Sequence, residues 1–204
     1  WADLEPLGAV VANPPWERLR LTVHEHLLSQ GVRRHYGAAV EEGTVAAASL
    51  DDARALLATY VAELAERYPL HSGANPDLFR LFTELCLDLA EGGGHLSLLL
   101  PGGIIRSQGT EPLRRHLWER ASQLDMAVLS NRARFFAVDT RQKLIVVEAR
   151  LGQGRHDALH LTHEEGTDDA VVSGPRTVLG RATLAELRPD LTVPEVRNRS
   201  EWAL

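Results

Sequence analysis

An apolar run, Gly8-Ala9-Val10-Val11-Ala12, stops at Asn13-Pro14-Pro15-Trp16, and this break constrains the fold more than any other stretch of the chain. Ala9 to Ala12 has strand character. Proline lacks an N–H and has a fixed φ, so the second proline ends any hydrogen-bonded ladder. The residue before each proline is pushed out of the α region, which leaves Asn13 and Pro14 extended. The pattern predicts a stiff, irregular tip at the C-terminal end of a strand, with one amide side chain, free carbonyls and one aromatic ring. In open α/β sheets, ligands bind at that end of the strands.

The rest of the chain alternates helices and strands. Glu17 to Arg34 reads as helix or helix–loop, with His24 and His26 on a solvated surface, and Arg33-Arg34-His35-Tyr36 is a small basic cluster that either touches nucleic-acid backbone or is plain solvated surface. Asp51 opens a helix through Tyr68, with Leu56, Leu57, Tyr60, Val61, Leu64 and Ala65 at helical spacing. Asn75 and Pro76 suit the start of the next helix, whose apolar residues are continuous enough to pack on a sheet. Gly92-Gly93-Gly94 reads as its C-cap and turn. A strand, His95 to Leu100, then ends at Pro101-Gly102-Gly103, and Ser107 to Arg120 is a helix with Leu113, Leu117 and Trp118 inward and Arg114-Arg115-His116 solvated. Strands Met126–Ser130 and Leu144–Ala149 flank a polar, aromatic loop and form a hairpin, so one strand is antiparallel. The fold class is α/β, a doubly wound sheet ending in an antiparallel hairpin.

The tip suits one chemistry in particular. The lone pair of an aryl amine is delocalised into its ring, which makes it a poor nucleophile. The Asn13 side-chain oxygen and the Pro14 carbonyl can each accept one N–H of such an amine and favour the pyramidal geometry needed to attack a sulfonium methyl. Pro15 keeps the tip rigid, and Trp16 can stack on a base that has left its duplex. An Asn-Pro-Pro-aromatic stretch after an apolar strand resembles the catalytic motif of S-adenosylmethionine-dependent amino-methyltransferases, the N6-adenine DNA methyltransferases above all. Asn-Pro-Asp-Leu-Phe-Arg-Leu-Phe (75–82) and Gly-Gly-His-Leu-Ser-Leu-Leu-Leu-Pro-Gly-Gly-Ile-Ile (93–105) resemble segments of the restriction-associated and phage-defence members.

That resemblance implies roles. Asn13, Pro14, Pro15 and Trp16 form the catalytic tip, with Asn13 also facing the cofactor. Phe79 lies near the cofactor's adenine, or is simply core. Phe136 on the hairpin loop, with Phe135 in reserve, stacks on the flipped adenine, or plugs the loop. Arg132, Arg134, Arg141 and Lys143 around the two phenylalanines are the candidates for nucleic-acid backbone. The cofactor is S-adenosylmethionine and the substrate DNA. The sequence has no glycine-rich loop after a first strand and no acidic residue after a second. The chain therefore reads as the second half of the catalytic domain, residues 1–151, with residues 152–204 an extension toward a target-recognition domain, and a complementary N-terminal half or subunit as partner. An RNA or protein-glutamine amine methyltransferase, or a non-catalytic scaffold of the same fold, is the alternative.

Bulk properties narrow the field. The net charge of −6 counts against strong nucleic-acid binding by this chain alone, because affinity for DNA comes mostly from neutralised phosphates. The single cysteine, Cys86, permits no intrachain disulfide and fits a cytoplasmic protein. No membrane segment is evident, and the scattered histidines, His156, His160 and His163 among them, have no metal-ligand spacing, so they read as surface.

Overall fold

The two prolines end the first strand as expected: β1 is Leu7–Ala12. The structure, a computed structural model, describes residues 5–31, 45–71, 77–134, 136–152, 157–164 and 176–202. The basic cluster Arg33 to Tyr36, the Asn75-Pro76 helix start, Phe135 and His156 lie outside these described residues. After β1 come α1 (Val23–Ser29), α2 (Val45–Arg67) and α3 (Leu78–Leu89), then β2 (Ala90–Pro101). Next are α4 (Gly103–Arg106), α5 (Glu111–Arg120), β3 (Ala121–Ser130) and β4 (Lys143–Leu151). The remainder is β5 (Ala158–Glu164), β6 (Arg176–Gly180), α6 (Arg181–Leu187) and α7 (Arg199–Trp202).

The strands form one mixed six-stranded sheet of order β1-β2-β4-β3-β5-β6. β1 and β2 are parallel, and β4 enters antiparallel between β2 and β3. The expected hairpin is therefore present, and its second strand is central rather than at an edge. Residues 158–164 and 176–180 add two strands to the same sheet, β5 parallel to β3 and β6 antiparallel to β5. One face is apolar: Val10, Leu96, Leu98, Val147, Met126 and Leu161 join Phe79 and Leu87 of α3 and Leu117 and Trp118 of α5 in a single core. The other face carries Ser97, Glu148, Asp125 and His160 side by side in register.

Five sequence expectations need correcting. The helix expected to open at Asp51 starts six residues earlier, at Val45. Gly92 to Gly94 lie inside β2, where the β1–β2 register slips, and the cap of α3 is the extended Ala90. A Cβ on Gly94 would meet three backbone oxygens, of Leu7, Gly8 and Glu91, at 3.1 Å, so this glycine permits a close strand approach. Arg114 is not solvated. It is 0% exposed, and its guanidinium donates to the carbonyls of Ile104, Ser107 and Asp190 and to Thr110 Oγ1. A buried guanidinium is tolerable because those acceptors use its forked donors. His26 is 6% exposed, with Nε2 3.2 Å from Ser49 Oγ, because α2 covers that side of α1. The His163 side chain is also buried, at 6% exposure, 3.9 Å from Glu195.

The segment after α6 is strapped across α4. Val193 N–H donates to the Ile105 carbonyl at 2.9 Å, and Leu191, Val193 and Val196 are buried. Among the described residues no helix is long and apolar enough to cross a membrane.

Candidate active site at the C-terminal end of the sheet

Because β1, β2 and β3 run in one direction, the loops that follow Ala12, Pro101 and Ser130 gather at one edge of the sheet. The loop after β1 carries Asn13, which is exposed and makes no hydrogen bond among the described residues. Pro14 is buried and Pro15 partly so, which roots the tip. Trp16 is partly buried against the core, and its Nε1 is buried without a hydrogen-bond partner among the described residues.

The far end of the tip is clamped to the start of α3. Leu78 N–H donates to the Glu17 carbonyl at 2.8 Å. Arg18 Nε sits 3.0 Å from Asp77 Oδ1, and an Arg80 amino group 2.9 Å from Asp77 Oδ2. Asp77 is only 7% exposed, and its carboxylate lies between the two guanidiniums, an ion-paired joint between the tip and α3. The tip is thus held by a strand at one end and by a helix start at the other.

The loop after β3 reaches back to meet it. The Phe136 and Trp16 ring centroids are 5.9 Å apart at an interplanar angle of 57°, a favourable tilted arrangement. Two residues distant in sequence, both singled out as base-stacking candidates, are therefore neighbours. Phe136 is held by Asn131, which is 0% exposed. The Asn131 Oδ1 accepts from Phe136 N–H at 3.1 Å, and its Nδ2 donates to the carbonyls of Phe136 and Val138 at 3.1 Å and of Asp139 at 3.4 Å. Arg134 takes the left-handed conformation at φ 58°, so the loop turns sharply there. Asn131 was not singled out in the sequence. Its one signal is an asparagine directly after a strand, opening a long loop.

The cations of this loop differ in their engagements. Arg132 and Arg134 are exposed and form no ion pair among the described residues. Arg141 grips Asp139 through Nε and a terminal nitrogen, and donates its backbone N–H to the same carboxylate. Those hydrogen bonds hold the Asp139 carboxyl at about 2, well below the usual carboxylate range. Lys143 pairs with Glu195 of the strap, which also takes Arg106 at 3.0 Å.

Phe79 sits on the first turn of α3, 3% exposed. Its ring backs the turn after β2: a Cβ placed on Gly103 would lie 3.5 Å from it. Among the described residues no cluster of histidine, cysteine and carboxylate side chains could hold a metal ion.

No protein-family model matches this chain, and no curated protein does. Solved structures resemble it in fold. One, from a structure of a type I restriction–modification system, superposes with a TM-score of 0.54 at 12% identity over 96% of this chain and 39% of the neighbour. A second, a nuclease-deletion mutant of the type ISP restriction–modification enzyme LlaGI in complex with a DNA substrate mimic, gives a TM-score of 0.52 at 13% identity over 86% of this chain and 17% of the neighbour. The chain spans well under half of either neighbour, and at these identities what it shares with them is the fold.

Proposed function

We propose that this chain holds the target amine in an S-adenosylmethionine-dependent methyltransferase, and that the amine is N6 of adenine in DNA within a restriction–modification system. The observation that carries the reading is the Asn13 tip. An exposed amide that makes no side-chain hydrogen bond among the described residues stands at the end of a strand, rooted by a buried proline, in the loop whose Trp16 ring meets that of Phe136. A surface turn would not need two clamps, an aromatic neighbour from a loop more than a hundred residues away in sequence and an amide left unused. The shared fold with restriction–modification proteins, one of them solved with a DNA mimic, agrees with this reading.

The chemistry follows from the groups present. The Asn13 Oδ1 and the Pro14 carbonyl accept the two amine protons and draw the nitrogen toward a tetrahedral shape, which localises its lone pair. Trp16 and Phe136 hold the plane of the flipped base, fixing the angle of approach. The cofactor, when bound, supplies an electrophilic sulfonium methyl. Asn13 and Pro14 would hold the amine with its lone pair turned toward that methyl group, and the surplus amine proton would pass to solvent. The tip thus acts by position and dipoles.

For such a cofactor, Phe79 is the residue we assign to its adenine; at 3% exposure in the core behind Gly103, it would back that ring through the turn rather than touch it. The groups for its amino-acid end and ribose are assigned to a complementary half or subunit. The edge strand β1 supports this: its outer side is unpaired among the described residues, Val11 is 82% exposed and Leu7 43%. An open apolar edge invites another strand. On the DNA side, Arg132 and Arg134 are the first cations offered to phosphates, and Arg141 and Lys143 join by exchanging their carboxylate partners.

The test is transfer of a labelled methyl group to adenine in duplex DNA by the assembled protein. Asn13→Ala abolishes the transfer and leaves the melting temperature unchanged. Transfer that survives the substitution would reject the assignment of Asn13.

A further inference from the structure

We propose that Asn131 is a positioning residue that sets the Phe136 ring against Trp16, so that base stacking at this site depends on a side chain the base never touches. The inference rests on the function proposed above for its catalytic consequence, and on geometry alone for its structural part.

Asn131 is the only residue that bridges both arms of the loop after β3 through one side chain among the described residues. Its amide is fully buried, and its two ends are used in opposite senses. The oxygen takes the N–H of Phe136, while the nitrogen spreads across the carbonyls of Phe136, Val138 and Asp139. Both backbone groups of Phe136 are therefore tied to the same side chain. The ring they carry points at Trp16, 5.9 Å away between centroids. The Asn131 main chain adds two more ties: its carbonyl accepts from Arg134 N–H at 2.9 Å and its N–H donates to the Gln142 carbonyl at 3.4 Å, across the mouth of the loop.

No other side chain of similar size can do this. Aspartate offers oxygens to Phe136 N–H but repels the three carbonyls. Leucine fills the space and satisfies none of the four groups. Glutamine has the right ends at the wrong reach. An amide at 131 is thus matched to the loop's donors and acceptors, and among its described residues the loop has no helix or strand past residue 133 up to β4 to hold it otherwise.

The experiment places 4-fluorophenylalanine at position 136 of the full protein and follows its fluorine resonance. In the parent, the line is shifted by the neighbouring indole, and Trp16→Ala moves it, which identifies the contact. Asn131→Ala and the same-sized Asn131→Asp move it to the solvent position while the circular dichroism of the sheet and helices is retained. A fluorine line that stays where it was in Asn131→Asp overturns the proposal. Methyl transfer gives the second readout. Asn131→Asp lowers kcat by about tenfold, the size of one lost base-stacking contact, with cofactor affinity unchanged. The double variant Asn131→Asp, Phe136→Ala is no slower than Phe136→Ala alone, because one residue acts through the other. Independent, additive losses overturn the proposal. If the parent protein methylates no adenine, the functional reading fails while the fluorine experiment still decides the positioning role.

Discussion

Two asparagines stand just past the ends of parallel strands at the same edge of the sheet, and the molecule treats them oppositely. Asn13 follows β1 and is exposed, its amide unused among the described residues. Asn131 follows β3 and is fully buried with its amide bonded to four backbone groups. The loops around them differ in the same way. The β1 loop is stiffened by covalent geometry, two prolines and a clamp at Asp77, so its amide is free for an outside partner. The β3 loop has no proline between 131 and 142 and needs an internal amide to hold its shape. Rigidity from ring closure leaves a polar group available, whereas rigidity from a hydrogen-bond hub consumes one.

The contrast sets an order of predictions. Asn13→Ala has the largest effect, on activity: methyl transfer falls by about 10²–10³-fold or below detection, as for removal of one oriented dipole at a reacting centre. Its unfolding free energy stays within about 0.5 kcal/mol of the parent, as for an exposed residue with no internal bond. Asn131→Ala shows the reverse balance in denaturant titration, losing about 1–3 kcal/mol of stability because buried carbonyls and an N–H lose their partner. Finding Asn131→Ala silent in stability and Asn13→Ala costly would break the comparison. Third, Trp16→Ala and Phe136→Ala each lower methyl transfer about tenfold, and their combination is less than additive because the rings touch; kcat measured on the single and double variants checks this.

The smallest effect is a control outside both loops. Glu84 on α3 is 4% exposed, and burial pushes its carboxyl up to about 7 against the hydrogen bond donated by Leu70 N–H. Its folded value thus lies above the ordinary 4.5, so the native state holds the proton more tightly than the unfolded chain. That contribution is complete below about pH 4.5 and is lost as the pH climbs to about 7. Thermal melts of Glu84→Gln therefore vary less across this range than those of the parent. Equal slopes would show that Glu84 is not the group responsible.

Much of the fold was legible because the informative signals are local. Proline after an apolar run, leucine-rich strands and the polar gap between β3 and β4 all act within a few residues. The tip was legible for the same reason, as were Trp16 and Phe136 as flat rings in polar company. What was hidden depends on chain far away. Arg114-Arg115-His116 looks like a solvated face until the strap brings the Asp190 carbonyl to Arg114 from 76 residues downstream. β5 hides in a polar stretch, although Leu159 and Leu161 alternate with His160 and Thr162 as a half-buried strand should. Gly92 to Gly94 imitate a helix cap because a left-handed cap and this strand start both favour glycine, at Gly93 for its φ of 95° and at Gly94 for the close approach of β1. Asn131 was invisible as a hub because its partners are main-chain groups, which no sequence displays.

The antiparallel course of β4 has a consequence for change. Both feet of the loop between Ser130 and Lys143 are anchored in the middle of the sheet, and Ser130 and Lys143 face each other in register. The segment between them leaves and re-enters the sheet at one place, so its residues other than Asn131 and Phe136 can be exchanged without moving β1. What that segment presents to Trp16 can thus change piecemeal, while the Asn13 tip, built on a different strand, keeps its shape.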